Sequence, residues 1–180
     1  MKRLILLAGF PGVGKSYISK ILESKIRGSY YFDSDKFAKE KSMKNVQYDV
    51  LSDKQIKRLR TESQRQKIIK IKQLFHKKNI IILDTCFDIP EARKMYYAIK
   101  SPSRDIIVLE VICSEKTIKK RILRMAHSPR NPGTPASRWL TYKKMKKNWK
   151  PVKWKNHFII NSDKGLGNQI NAFIKKFTLL

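Results

Sequence analysis

Gly9-Phe10-Pro11-Gly12-Val13-Gly14-Lys15-Ser16 is the stretch that decides the fold of this chain. It matches the pattern G-x-x-x-x-G-K-[ST] at all four fixed positions. The preceding run, Arg3 to Ala8, is apolar and short, as is typical of a strand buried on both faces. After it, apolar residues recur at helical spacing (Ile18, Ile21, Leu22 and Ile26). The pattern therefore predicts a strand-loop-helix unit whose loop binds phosphate through converging backbone N–H groups and the positive end of the helix dipole.

Two side chains of this loop have specific chemical tasks. Lys15 can contact the β and γ phosphates of a nucleotide, and the Ser16 hydroxyl can ligate the Mg²⁺ that bridges them. A chance match to the pattern in a chain of this length has a probability of about 1% or less. We therefore predict that the protein binds ATP, or another nucleoside triphosphate, together with Mg²⁺. The predicted nucleotide contacts come from Gly9, Pro11, Gly12, Val13, Gly14, Lys15, Ser16 and Tyr17.

Length and composition indicate one domain, spanning residues 1–180. A chain of 180 residues with 41% hydrophobic residues can bury about 70% of its unfolded surface. It contains no apolar stretch of membrane-spanning length and no signal-peptide pattern. Its two cysteines, Cys86 and Cys113, each lie near the end of an apolar run, which suits reduced thiols better than a disulfide. These features predict a soluble cytoplasmic protein without membrane association, and they leave its oligomeric state open.

The charge of the chain points to polyanionic partners. Lys and Arg number 41 against 14 Asp and Glu, a formal net charge of +27. From Lys116 to His157 there are fourteen Lys or Arg and no acid, with Trp139, Tyr142, Trp149 and Trp154 interleaved. Cations beside aromatic rings favour binding of single-stranded nucleic acid. Two other interpretations remain: the charge can reflect biased genome composition, and the aromatic rings can anchor a helix to the core.

Strands and helices are predicted to alternate along the chain. Further strands are expected at 29–32, 79–83, 106–113 and 157–161, and helices at 52–78, from 88, and at 115–125, 138–150 and 166–177. Residues 36–51 are expected to be irregular. This alternation predicts an α/β, three-layer P-loop NTPase fold, a five-stranded parallel sheet flanked by helices. A basic helical lid is predicted at about 116–150.

Acidic residues follow two of these strands, at the edge where ligands bind in parallel α/β sheets. Asp33 and Asp35 come after the second strand, and Asp84 after the third. A kinase needs one carboxylate to accept the proton of the attacking hydroxyl and another to hold Mg²⁺. The alternative is that these residues only cap turns.

Cations for the transferring phosphoryl group are expected on the helix after the fourth strand. Arg121 and Arg124 are the candidates there, with Lys120 on the same face as Arg124. Arg130 and Arg138 flank a loop rich in Pro and Gly that can close as a lid. The alternative for each of them is a solvated basic helix.

These residues resemble the small P-loop kinases of the polynucleotide kinase and zeta-toxin type, close to the nucleoside monophosphate kinase fold. The resemblance is carried by five segments: Gly9 to Ser16, Asp33-Ser34-Asp35, Ile82 to Thr85, the helix with Lys120 to Arg124, and the basic helix ending at Trp149-Lys150-Pro151. It implies that Asp35 is the general base, that Ser16 and Asp84 attend the metal, and that Arg121 and Arg124 clamp phosphates.

The sequence departs from that family at two places. Ala38 and Lys39 stand where an acceptor-binding Arg usually follows the base, and Arg121 and Arg124 are three rather than four residues apart. We predict that the phosphoryl acceptor is bound, on the acceptor side of the site, by Asp35, Lys39, Thr85, Arg93, Arg130 and Arg138. Asp33 is included among the catalytic candidates.

The predicted function is an ATP- and Mg²⁺-dependent kinase that phosphorylates the 5′-hydroxyl end of single-stranded RNA or DNA. One alternative is a kinase for a small molecule such as a nucleoside, a sugar nucleotide or an antibiotic. Another is an ATP-driven switch or nucleic-acid-associated ATPase. Asp35 distinguishes the kinases from the switch, because a switch positions water and does not deprotonate a substrate hydroxyl.

Overall fold

A computed structural model describes residues 1–41, 52–84, 96–125 and 134–179 of the protein. Within these ranges the chain forms five strands: β1 (Lys2–Ala8), β2 (Ser29–Phe32), β3 (Ile80–Asp84), β4 (Arg104–Ile112) and β5 (His157–Asn161). The helices of the same ranges are α1 (Lys15–Lys25), α2 (Ser34–Lys41), α3 (Asp53–Leu74), α4 (Glu115–Arg124), α5 (Pro135–Asn148) and α6 (Leu166–Lys176). None of these helices is both long and apolar enough to cross a membrane.

The five strands form one parallel sheet in the order β2-β3-β1-β4-β5. β1 is central, and its residues Leu4 to Ala8 are fully buried. Alternate side chains of β1 enter two cores. Ile5 and Leu7 pack in the core that contains residues of α1, α4, α5 and α6, while Leu4 and Leu6 pack with residues of α3. The predicted three-layer α/β fold is confirmed, and its continuous apolar strands are those of a sheet covered on both faces.

The sequence prediction was wrong for the segment after β2. Residues 36–41 were expected to be irregular, yet they belong to α2. The Asp33 side chain accepts a hydrogen bond from the Lys36 amide at 2.9 Å, and the Asp33 carbonyl accepts one from the Phe37 amide at 3.1 Å. An Asp at this position is a favourable N-cap, and its signal was outweighed by the polar composition of the segment. The remainder, residues 42–51, lies outside the described ranges.

The other boundaries differ from the predictions by a few residues. The capping box at Ser52 is confirmed, but α3 ends at Leu74 and the chain continues in turns to Lys78. α5 begins at Pro135, three residues before the predicted start at Arg138, because the Thr134 hydroxyl caps it and Pro suits a first turn. The helix predicted from Asp88 lies outside the described residues.

Candidate active site

The phosphate-binding loop connects β1 to α1, as the sequence predicted. Gly9 has φ +144, and a Cβ there would lie 2.5 Å from the carbonyl oxygen of Val111 in β4, so no other residue fits. Gly14 is the N-cap of α1 with φ 99, in the left-handed region, and no side chain caps this helix. In the described part of the chain the first amides of α1 therefore receive no side-chain cap, and they are suited to an anionic ligand.

Lys15 lies across this loop. Its ammonium group donates hydrogen bonds to the carbonyl oxygens of Gly9 at 2.9 Å and Phe10 at 3.0 Å. The positive charge is thus held beside the amides that begin α1. The arrangement places a cation where a phosphate on the loop would need one.

Ser16 and Asp84 come together at the end of β3. The pairing of β3 with β1 places Asp84 opposite Leu7, next to the loop. The Ser16 hydroxyl donates to Asp84 Oδ2 at 2.7 Å, and Asp84 is only 7% exposed. A hydroxyl and a carboxylate are the oxygen ligands that Mg²⁺ prefers, and Mg²⁺ needs only one or two carboxylates beside phosphate oxygens. The residues predicted to hold the metal thus fit that role in type and position.

Tyr31, which the sequence did not single out, shares this carboxylate. Its hydroxyl donates to Asp84 Oδ2 at 3.0 Å from the neighbouring strand β2. Burial, followed by the charge and hydrogen bond of Asp84, raises the pKa of the Tyr31 hydroxyl well above its usual value, so the group remains a donor. Only the pairing of β2 with β3 shows this contact, because an aromatic residue within a strand carries no local signal of it.

Arg121 lies at the opposite side of the loop. Its Nη1 donates to the Gly12 carbonyl and to the Ser162 hydroxyl, both at 3.1 Å, and Ser162 Oγ donates to the Val13 carbonyl at 2.7 Å. The predicted cation is therefore at the phosphate-binding loop. Ser162 was missed by the sequence analysis, although its position directly after β5, at the same sheet edge, was a usable signal.

The other predicted cations of this region lie elsewhere. Arg124 is exposed to solvent, and Arg138 donates to the Met125 carbonyl at 2.8 Å, which joins the start of α5 to the end of α4. Tyr17, predicted to contact the nucleotide, is 65% exposed on α1. Their roles toward a nucleotide stay predictions.

The acceptor side is described in part. Asp33 caps α2, and the Ser34 hydroxyl donates to the Asp84 carbonyl at 2.9 Å, so the start of α2 adjoins the metal-binding candidates. Asp35 and Lys39 lie in α2, but their side chains are outside the described part of the chain, as are Thr85, Arg93 and Arg130 entirely. The choice of Asp35 as the base stays a prediction.

The aromatic residues of the basic segment pack inward. Tyr142 is 2% exposed, its ring contacts Phe10 of the loop with centroids 5.3 Å apart, and Trp149 contacts the same Phe10 ring at 4.6 Å. Trp154 donates its Nε1 hydrogen to the Ile106 carbonyl at 3.1 Å. These contacts favour the second interpretation of the aromatic residues, in which they anchor the helix to the core.

Comparison with solved structures supports the P-loop kinase-like fold. The structures with similar folds include Kti12 of Chaetomium thermophilum in complex with ADP-AlF3 (TM-score 0.67, 18% identity, 98% of each chain covered). They include the tunicamycin resistance protein of Deinococcus radiodurans (TM-score 0.69, 12% identity, 100% of this chain and 98% of that one). The APS kinase CysC of Mycobacterium tuberculosis in complex with AMPPNP and APS is similar too (TM-score 0.64, 12% identity, 98% of each chain). At these identities the likeness concerns the fold, and the narrower resemblance to polynucleotide kinases stays a prediction.

Sequence comparisons give a broader family. No curated protein matches the chain. A protein-family profile described as AAA domain matches residues 5–136, a range that contains the phosphate-binding loop, Asp84 and Arg121. Because the matched range covers well over half of the 180 residues, the chain belongs to this AAA domain family.

Proposed function

We propose that the protein is an ATP- and Mg²⁺-dependent kinase that transfers the γ-phosphoryl group to the 5′-hydroxyl of a polynucleotide. The observation that carries the proposal is the convergence of Lys15, the Ser16–Asp84 pair and Arg121 on one glycine-rich loop. Phosphoryl transfer depends mainly on positioning and on stabilising charge, and this set supplies both.

Each side chain has a role in that reaction. Lys15 neutralises charge on the β and γ phosphates, and Arg121 adds a second cation across the loop. Ser16 and Asp84 would hold Mg²⁺, which when bound neutralises phosphate charge. Asp35, on the helix that begins beside Asp84, accepts the proton of the attacking hydroxyl.

The polynucleotide acceptor is inferred from charge. A net charge of +27 and the acid-free segment from 116 to 157 favour a substrate with many phosphates. Because the segment's aromatic rings pack inward, the recognition that we propose is of the backbone and not of the bases.

A kinase for a small acceptor is the second candidate. It is favoured by the similar fold of the M. tuberculosis APS kinase, a solved complex with AMPPNP and APS. The same loop and carboxylate would serve both reactions, so only the acceptor distinguishes the two candidates.

The experiment is transfer of label from γ-labelled ATP to a panel of acceptors. The panel contains 5′-hydroxyl RNA and DNA oligonucleotides, free nucleosides, adenosine phosphosulfate and simple sugars, with 5′-phosphorylated oligonucleotides as blocked controls. We expect label only on the 5′-hydroxyl oligonucleotides, and none with Lys15→Ala. Label on a small acceptor alone would select the second candidate, and ATP hydrolysis without any labelled acceptor would contradict both.

A further inference from the structure

Two lysines from different helices approach one tryptophan ring. Lys119 of α4 has its Nζ 5.7 Å from the ring centroid of Trp139, and Lys143 of α5 has its Nζ 5.8 Å from the same centroid. Both lysines are exposed, and Trp139 is half-buried. The two ammonium groups are therefore at most about 11.5 Å apart, and both are accessible to solvent.

The neighbouring turn of the same two helices is built differently. There, Glu115 of α4 forms an ion pair with Lys146 of α5. One turn after Glu115, α4 carries Lys119, and one turn before Lys146, α5 carries Lys143. In the described part of the chain neither Lys119 nor Lys143 forms an ion pair with an acid. Facing like charges destabilise the pairing of the helices unless an anion lies between them.

The surroundings extend this positive surface. Besides Lys119, Lys143 and the ion-paired Lys146, the exposed cations on the two helices are Lys116, Lys120, Arg124, Lys144 and Lys147. No acid occurs between residues 116 and 157. A single small anion would contact only some of these cations, whereas a chain of phosphates would extend along all of them.

The Trp139 ring connects this surface to the phosphate-binding loop. Trp139 stacks on Tyr142 with centroids 4.8 Å apart and planes 19° apart, and Tyr142 contacts Phe10 of the loop at 5.3 Å. Two ring contacts thus separate the lysine pair from the loop. The stacking also occupies a face of the indole, which makes it a support for the lysines.

We propose that Lys119 and Lys143, which both approach the Trp139 ring, form a binding site for a backbone phosphate of the polynucleotide substrate; we refer to it as the Lys119–Lys143 site. This inference rests on the proposed kinase function, since it assigns the place where the acceptor strand is held. Recognition there is of phosphate and is independent of base sequence. Proximity to the loop favours a nucleic-acid acceptor over an anionic membrane as the partner.

The test uses Lys143→Glu in the full chain. The new carboxylate would face Lys119 and would stand four residues before Lys147, an arrangement that stabilises helices. We therefore expect an unfolding temperature equal to or above that of the parent. If the two lysines serve only to hold the helices together through the indole, the same change lowers the unfolding temperature.

Binding is measured without ATP, by fluorescence anisotropy of a labelled single-stranded oligonucleotide at several NaCl concentrations. For Lys143→Glu we expect weaker binding and a plot of log affinity against log salt that is flatter by about 0.7 for each phosphate that the variant no longer neutralises. The loss of affinity should be equal for oligonucleotides of different sequence. Lys143→Arg should retain the parent's slope, because it keeps the charge.

Lys77→Glu is the matched control. Lys77 is exposed in the turn before β3, at the sheet edge opposite the loop, and its substitution makes the same change in net charge. Equal losses in Lys77→Glu and Lys143→Glu would overturn the proposal in favour of a bulk charge effect. The proposal is also overturned if Lys143→Glu weakens binding to phosphatidylserine vesicles while oligonucleotide binding is unchanged.

The two hypotheses fail in different ways. If the parent phosphorylates oligonucleotides and Lys143→Glu binds them with unchanged affinity and slope, the site is wrong and the kinase function stands. If the parent binds oligonucleotides through the site but labels none of them, the binding site stands and the assigned reaction is wrong.

Discussion

Ser16 and Asp84 stand 68 residues apart in the chain, yet the Ser16 hydroxyl donates a 2.7 Å hydrogen bond to Asp84 Oδ2. The contact exists because β3 pairs in parallel with β1 and ends beside the loop that follows β1. It joins the two halves of the candidate metal site.

Lys15→Ala and Ser16→Ala should each lower phosphoryl transfer by orders of magnitude, since no other described side chain replaces the ammonium charge or the hydroxyl ligand. Both proteins should stay folded, because Lys15 is only partly buried and Ser16 is exposed. The measurements are label transfer from ATP and the unfolding temperature. Near-normal transfer by Lys15→Ala would show that the nucleotide site is misassigned.

Tyr31→Phe should weaken the response to Mg²⁺ by about tenfold, because a partner that orients a metal-binding carboxylate has an effect of this size. The measurement is a Mg²⁺ titration of nucleotide binding, which needs no turnover. Tyr30→Phe is the control: Tyr30 is the adjacent residue of β2 and is 36% exposed. Equal Mg²⁺ responses for the two variants would remove Tyr31 from the site.

Asp35→Asn should reduce kcat far more than nucleotide affinity, as expected for a group that acts in the transition state. Asp33→Asn should be mild, since Asn caps a helix as well as Asp does, whereas Asp33→Ala should cost about 0.5–2 kcal/mol of stability through loss of the cap. Kinetics and thermal unfolding separate these effects. A larger kcat loss for Asp33→Asn than for Asp35→Asn would reassign the base.

Arg121→Ala and Ser162→Ala should be coupled. The two side chains hydrogen-bond each other and hold the Gly12 and Val13 carbonyls of one loop. A double-mutant cycle on nucleotide binding should give a coupling free energy of about 0.5–3 kcal/mol. Additive effects would mean that the two residues act on the loop separately.

Asp163→Asn should reduce stability at neutral pH and leave it unchanged in acid. A backbone hydrogen bond from Ser114 is the main cause that lowers the pKa of the Asp163 carboxyl. A carboxyl with a lowered folded-state pKa stabilises the fold above its unfolded pKa, and the contribution is lost as pH falls through the folded value. Unfolding temperatures of parent and variant should therefore differ at pH 7 and approach each other progressively as the pH falls below about 4. A difference that persists at low pH would contradict this account.

Much of the fold was predictable because its signals are local. The loop from Gly9 to Ser16, the apolar strands and the Ser52 capping box are patterns of neighbouring residues, and the structure confirms each of them. The helix α2 was missed even though its cap, Asp33, is local. A single capping residue is a weak signal when no apolar periodicity follows it.

The amino-acid sequence by itself determined the phosphate-binding loop, the alternation of strands and helices, and the strand ends at which Asp33 and Asp84 lie, because each depends on residues close together in the chain. Only the tertiary structure decided which side chains meet there. Tyr31 contacts Asp84, Arg121 contacts Gly12 and Ser162, and Lys119 and Lys143 both approach the ring of Trp139. These contacts follow from the order β2-β3-β1-β4-β5, which brings together strands distant in the chain, and from the packing of α4 against α5, which no pattern of neighbouring residues reports.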